Sequence, residues 1–281
     1  MPENQITSIE NEFVIHGLRR SGNHAITNWI LGQIKGDMAY YNDVWPNEPY
    51  NNYPSYSNTT KSRIDYSIIS YEDYNLKVLS KIKQKKDTSI SNTTNILILR
   101  DPFNLLASRF RSNKKTPAHY SGLNLRQLYM MYSLEYEGKT NLLGVDKVVI
   151  SYNEWKNSKS YREDLAKKLG LMFNDKAINK VTGQGGGSSF DGMALKGQEL
   201  KTENRYYNFK DDYVFLNWFI NIKILEFSKK YFFIPKDLKL DIKQPKRFLI
   251  QYYDIIIIYI NSDLFYYLRQ LFLIVKRFKL K

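Results

Sequence analysis

The stretch EFVIHGLRRSGNHAITNWI, residues 12–30, reads as a strand, a turn bracketed by two glycines, and the start of a helix. Residues 12–16 form a short apolar run that predicts a buried strand, closed by Gly17. Downstream, Ile26, Trp29, Ile30 and Ile34 fall on one face of a 3.6-residue period and predict an amphipathic helix. Between them lies GLRRSGNH, residues 17–24. Gly17 and Gly22 have the separation of the glycines in G-x-x-x-x-G-K-[ST]. Asn23 and His24, however, replace the lysine and hydroxyl that such a loop places on nucleotide phosphates and magnesium. An ATPase or GTPase is poorly supported on that ground. The turn still has what an anion nest needs. Its glycines let amides converge, the helix N-terminus adds positive partial charge, and Arg19 and Arg20 are cationic donors. A phosphate or a sulfate is the ligand this predicts.

The same alternation continues outward. Strands are expected at 38–41 (MAYY), 64–70, 95–99 and 147–152. Helices are expected through Leu76, Leu79 and Ile82, and behind Pro102 with Leu105, Leu106 and Phe110 inward. Others are expected over 124–138, over about 158–170 ending at Gly170, and over 213–230. Residues 51–63, rich in asparagine, serine, threonine and tyrosine, read as surface loop. Strands alternating with helices imply an α/β fold: a three-layer, doubly wound, mainly parallel sheet with a P-loop-like turn. Ligands of such sheets bind beyond the carboxyl ends of the strands. Segments 17–24 and 100–108 each follow a strand, so both are expected at one edge.

The length of 281 residues suits one α/β domain, taken as 1–245, with a C-terminal helical extension over 246–281. The extension is apolar, interrupted by Gln251, Asp254, Asn261, Ser262 and Asp263, and ends in clustered lysine and arginine. No uninterrupted run reaches the roughly 18 apolar residues of a membrane span. A packed helix or helix pair is expected there, with a membrane-surface helix as the alternative. The net charge of +14 suits a polyanion, an anionic membrane or a small multiply phosphorylated ligand, although a lysine-rich surface gives the same figure. No cysteine occurs, which removes disulfides and thiolate metal sites, and the polar, acidic start is unlike a secretory signal. Both features point to a cytoplasmic setting. A nucleic-acid partner is disfavoured, because no arginine–aromatic repeat or helix-turn-helix spacing is present. The glycine- and serine-rich stretch at 181–192 is either a linker or a binding loop.

GLRRSGNHAI resembles the 5′-phosphosulfate loop, G-x-x-[RK]-S-G-T-[TS], of sulfotransferases that use 3′-phosphoadenosine 5′-phosphosulfate. RDPFNLLAS, residues 100–108, is similar to that family's 3′-phosphate motif, in which R-[DN]-P is followed by a serine eight positions after the arginine. VVISYNEWKNSKSYREDLAKKLGL looks like the family's strand ending in Y-E-D, followed by a helix and a glycine. The three occur in family order over roughly residues 13–172. The resemblance implies a metal-free transfer of a sulfonate from the nucleotide donor to a hydroxyl or amine, with a carbohydrate as the acceptor by analogy. It implies that Arg19 and the amides of Ser21, Gly22, Asn23 and His24 hold the 5′-phosphosulfate. Arg20 would neutralise charge on the bridging oxygen, and Arg100 and Ser108 would grip the 3′-phosphate. Gly187 and Ser188 would cap the nucleotide. Asn23 and His24 depart from the family's hydroxyls, yet both side chains can donate a hydrogen bond. Asp43, 23 positions after Arg20, is the expected proton acceptor, with Glu48 as runner-up. The competing readings are a P-loop-type nucleotide or small-molecule kinase, and a non-catalytic nucleotide- or polyanion-binding protein.

Overall fold

The computed structural model describes residues 6–50, 53–82, 88–113, 122–179, 190, 200–238, 240, 253–254 and 256–258. The run that opens the chain becomes β1, Ser8–Gly17, the centre of a six-stranded sheet. Its neighbours are β4, Arg63–Glu72, and β5, Ser89–Leu99, both parallel to it. Outside them lie β2, Met38–Tyr41, parallel to β4, and β6, Val148–Ser151, parallel to β5. The antiparallel member is the two-residue β3, Tyr56–Ser57, on the edge of β2. A parallel sheet needs cover on both faces, and the buried parts of its central strands, such as residues 13–15, 68–69 and 96–99, are accordingly continuous apolar runs.

Helices supply that cover. On one face Phe13, Ile15, Ile68, Ile96 and Ile98 pack with Ile26, Trp29 and Ile30 of α1, Asn23–Leu31. Trp155 of α5, Tyr152–Asn157, and Leu165 of α6, Lys159–Lys168, complete that layer. On the other face Val14, Ile69 and Tyr71 form one cluster with Tyr74. Leu97 and Leu99 form another with α2, Leu76–Leu79; α3, Pro102–Arg111; and α4, Leu125–Tyr136. Phe215 of α7, Tyr213–Trp218, and Ile224 and Phe227 of α8, Ile222–Tyr231, extend that second cluster. The expected three-layer, doubly wound α/β architecture is therefore the one observed.

Register decides what meets at the edge. Gly17 lies opposite Glu72 on β4 and Ile98 on β5. The loop after β1, the turn after β4 and the helix start after β5 consequently converge at the carboxyl ends of the three central strands.

Some element boundaries differ from the sequence expectation. The single helix expected over 213–230 is broken into α7 and α8, because Asn221 caps the second by accepting from the Lys223 amide at 3.0 Å. The helix expected near 158 is preceded by α5. Ser151 opens α5 and Ser158 opens α6, each with its hydroxyl on a first-turn amide. Helical structure through Ile82 stops after one turn at Leu79. The proposed boundary near residue 245 lies outside the described residues. Of the extension, Asp254 is buried and accepts from Arg126, Gln127 and Asn221. Among the described residues no helix is long and apolar enough to cross a membrane.

Candidate active site

The turn after β1 is built from inside. The Ser21 amide donates to the Leu18 carbonyl at 3.0 Å, closing the loop. Arg20, at φ 73°, and Gly22, at φ 91°, both sit in the left-handed region. A β-carbon at Gly22 would lie 2.1 Å from the Tyr152 ring, so glycine is required there for space as well as for φ. Gly22 is also the N-cap of α1, with no side chain capping the helix. The amides of Gly22, Asn23 and His24 have no partner among the described residues, as the first turn of a helix leaves them.

Two of the expected contacts are corrected by this geometry. The Ser21 amide is used within the loop and is not presented to a ligand, although the Ser21 hydroxyl is buried without a partner among the described residues. The Asn23 side chain points into the protein and donates to the Leu18 carbonyl at 3.1 Å and to Glu72 Oε1 at 2.8 Å. Asn23 thus fastens the loop to β4, and only its amide remains for an anion. The same contact explains Gly17, where a β-carbon would collide with the Asn23 amide group at 2.1 Å.

Beneath the loop lies an ion pair. Arg109 of α3 and Asp73 have fully buried side chains, with Nη1 donating to both carboxylate oxygens at 2.9 and 2.8 Å. Asp73 Oδ1 also accepts from the Arg19 amide at 2.9 Å, and Arg109 donates to the Arg19 carbonyl at 3.3 Å. The pair therefore grips the backbone of Arg19 from both sides and holds the turn in place.

At the mouth, Arg19 pairs with Asp43 at 2.8 Å and lies 3.6 Å from Glu72. Burial opposes its charge, yet the Asp43 hydrogen bond and the charges of Asp43, Glu72 and Asp73 hold its pKa above the usual arginine value. Asp43 also accepts from the Glu72 amide at 3.1 Å. Burial raises the pKa of Glu72. His24 and Asn23 oppose that shift, while Asp43 and Asp73 add to it. Burial lowers the pKa of Arg20, with Glu72 opposing and Arg109 and Arg19 reinforcing. His24 Nε2 lies 4.0 Å from Glu72 Oε1. Glu48 sits in the turn after Trp45, its amide on the Trp45 carbonyl at 3.2 Å.

The second half of the site follows β5. Asp101 caps α3 by accepting from the Asn104 amide at 2.8 Å, and Pro102 occupies its first turn. Arg100 is 3% exposed. It donates to the Arg20 carbonyl at 3.2 Å, lies 3.5 Å from Ser108 Oγ, and bonds the Thr202 carbonyl. Its guanidinium lies 5.0 Å above the Tyr152 ring. The ion pair with Asp101 is loose, at 3.9 Å, and Arg100 Nε is buried without a partner among the described residues. A second guanidinium converges there: Arg205 donates to Ser108 Oγ at 3.2 Å. Two buried guanidiniums thus meet on one hydroxyl, and Arg100 joins them to the loop through the Arg20 carbonyl.

The expected residues Arg19, Arg20, Ser21, Gly22, Asn23, His24, Asp43, Arg100 and Ser108 therefore share one strand edge, while Gly187 and Ser188 lie outside the described residues. Glu72, Asp73, Arg109 and Arg205 belong to the same edge and were missed. Glu72 ends a strand beside the loop, and that position was the one signal available for it. Arg205 carries no local motif. Among the described residues no cluster of three or more histidine, aspartate or glutamate side chains is placed to hold a metal ion.

No protein-family model matches the chain, and neither does any curated protein. Among solved structures the chain is similar to mouse sulfotransferase SULT7A1 complexed with PAP, at 14% identity and a TM-score of 0.33. That match covers 63% of this chain and 64% of the mouse chain, so it spans less than two thirds of the neighbour.

Proposed function

We propose that the protein is a sulfotransferase, moving a sulfonate from 3′-phosphoadenosine 5′-phosphosulfate to a hydroxyl or amine acceptor. The observation that carries this reading is the presence of two groups of hydrogen-bond donors on one strand edge, each suited to an anion. The lysine-free loop at 17–24 is joined to the buried Arg100–Ser108–Arg205 cluster by the bond from Arg100 to the Arg20 carbonyl. A donor with phosphate at both the 5′ and 3′ positions needs two such groups. A magnesium-bound triphosphate needs one, with a lysine and a hydroxyl that are absent here.

The residues present fit that donor. The first-turn amides of α1 and the unpartnered Ser21 hydroxyl offer donors to the 5′ end, and Arg100 Nε is an unused buried donor at the 3′ pocket. Arg20, held in the left-handed region within the loop, is assigned the charge that develops on the leaving phosphate as the sulfur–oxygen bond breaks. Asp43 is a candidate for the proton of the acceptor, and its ion pair with Arg19 must open for it to serve. Acceptors would enter past Trp45, Tyr53 and Tyr56, whose side chains are exposed.

Turnover of sulfur-labelled donor tests the proposal. Wild-type protein should release 3′-phosphoadenosine 5′-phosphate and transfer label to an acceptor or to water. Arg20→Ala should lower that rate by about 100-fold. Phosphoryl transfer from ATP in place of this reaction, or turnover of neither donor, would sink the proposal.

A further inference from the structure

We propose that residues 200–202 form a strap standing on the 3′-phosphate site of the free protein, and that an incoming 3′-phosphate takes its place on three cations: Arg100, Arg205 and Lys156. This rests on the sulfonate-transfer reading and deepens it, by naming what must move to admit the donor and a third cation that receives it.

Three consecutive carbonyls make the strap. Leu200 accepts from Lys156 Nζ at 2.9 Å, Lys201 accepts from Arg205 Nε at 2.9 Å, and Thr202 accepts from Arg100 Nη2. Lys156 also donates to the Thr202 hydroxyl. A carbonyl meets the geometry of a cationic donor but leaves its charge uncompensated, whereas a phosphate meets both. Arg100 and Arg205 are only 3% and 6% exposed. At that burial neither guanidinium can take a phosphate while every group around it stays in place. The Arg20 carbonyl and the Ser108 hydroxyl, which the same guanidiniums hold, belong to the donor loop and to α3. The strap carbonyls are therefore the acceptors given up.

The chain can release the strap and still keep Arg205. The Arg205 amide donates to Asn104 Oδ1 of α3 at 2.7 Å, which pins that residue. Asn204 stands between pin and strap at φ 59°, a left-handed turn placed where a hinge is needed. Glu203 meets Asn157 Nδ2 at 2.9 Å in an exposed bond, and the Thr202 amide folds back on the Leu200 carbonyl at 2.8 Å. The strap thus carries an internal bond with it when it moves. Lys156 reaches this place through α5. It lies four residues after Tyr152, whose ring packs under the Arg100 guanidinium at 5.0 Å, so the two share one helical face.

Amide hydrogen exchange of the full chain tests this, read over residues 200–204 in the free protein, with adenosine 5′-phosphate, and with 3′-phosphoadenosine 5′-phosphate. Exchange there should quicken with the bisphosphate alone. Thr202→Val removes a hydroxyl that holds the strap to Lys156 and that the phosphate does not use. It should tighten bisphosphate binding about threefold to tenfold in calorimetry. Lys156→Ala should weaken the bisphosphate by about tenfold and the monophosphate far less. Exchange at 200–204 that is unchanged or slowed by the bisphosphate, or quickened equally by the monophosphate, overturns the proposal. So does a Thr202→Val affinity that is unchanged or weaker, or a Lys156→Ala affinity equal to wild type. A wild-type protein that prefers the bisphosphate at least about tenfold while the strap holds still keeps the donor reading and loses the strap alone. One that binds no bisphosphate loses both.

Discussion

Arg109 and Asp73 are the residues on which the loop's shape depends most. Both side chains are fully buried, and the carboxylate also carries the Arg19 amide. Removing the arginine leaves a charge uncompensated in the interior. Arg109→Ala should therefore lower unfolding free energy by about 3–5 kcal/mol in a urea titration, and the double variant with Asp73→Ala by less than the two singles together. Gly22→Ala meets both a left-handed φ and the Tyr152 ring, so it should weaken bisphosphate binding at least about tenfold as the loop shifts. His16 offers a pH test away from the site. It is buried with Nε2 on Asn95 at 2.9 Å, and burial lowers its pKa from 6.5 to about 4. The unfolded chain takes up that proton first as pH falls, so the native state loses stability between about pH 6.5 and 4. The loss approaches roughly 3 kcal/mol from this group. The slope of stability against pH over that window should be shallower in His16→Gln.

At the scale of elements, capping and register explain both what was legible and what was not. The strand–turn–helix at 12–30 could be read because three signals coincide: an apolar strand, two glycines and a helical stripe. MAYY matches β2 residue for residue. Pro102 at the start of α3 placed Arg100 at a strand end, which is where it stands. The breaks at Ser158 and Asn221 were hidden because each polar cap sits inside an otherwise periodic apolar pattern. Glu72 and Arg109 were invisible for another reason. They reach the site through the parallel register of β4 with β1 and through the far end of α3; Glu72 is marked only by its place at a strand end, and Arg109 by nothing in local spacing. Arg205 arrives from a single 3-10 turn, Arg205–Phe209, packed on α3. Asp101 ties cap to site, since it also accepts from Asn153 Nδ2 at 2.9 Å beside Tyr152. Asp101→Ala should cost about 1–2 kcal/mol through the lost cap, read from the urea midpoint.

At the scale of the whole molecule, a net charge of +14 is spent on very few anion-facing positions. Exposed pairs such as Lys61 with Asp37 and Lys159 with Glu163 contribute little to stability. Buried pairs lie at the strand edge, where Arg109 meets Asp73, and elsewhere as Arg126 with Asp254, Lys147 with Glu135 and Arg162 with Asp175. Arg126 holds Asp254 at 2.6 and 3.2 Å, tying that residue to α4 and, through Asn221, to the cap of α8. The account's central claim is that loop and arginine cluster form one site for a nucleotide phosphorylated at both ends. Calorimetry comparing 3′-phosphoadenosine 5′-phosphate, adenosine 5′-phosphate and ATP with magnesium tests it most directly. The predicted result is micromolar affinity for the bisphosphate, at least tenfold weaker for the monophosphate, and at least tenfold weaker again for the bisphosphate in Arg100→Ala. Equal or tighter binding of ATP, a 3′-phosphate that adds nothing, or no binding of any of the three would contradict it.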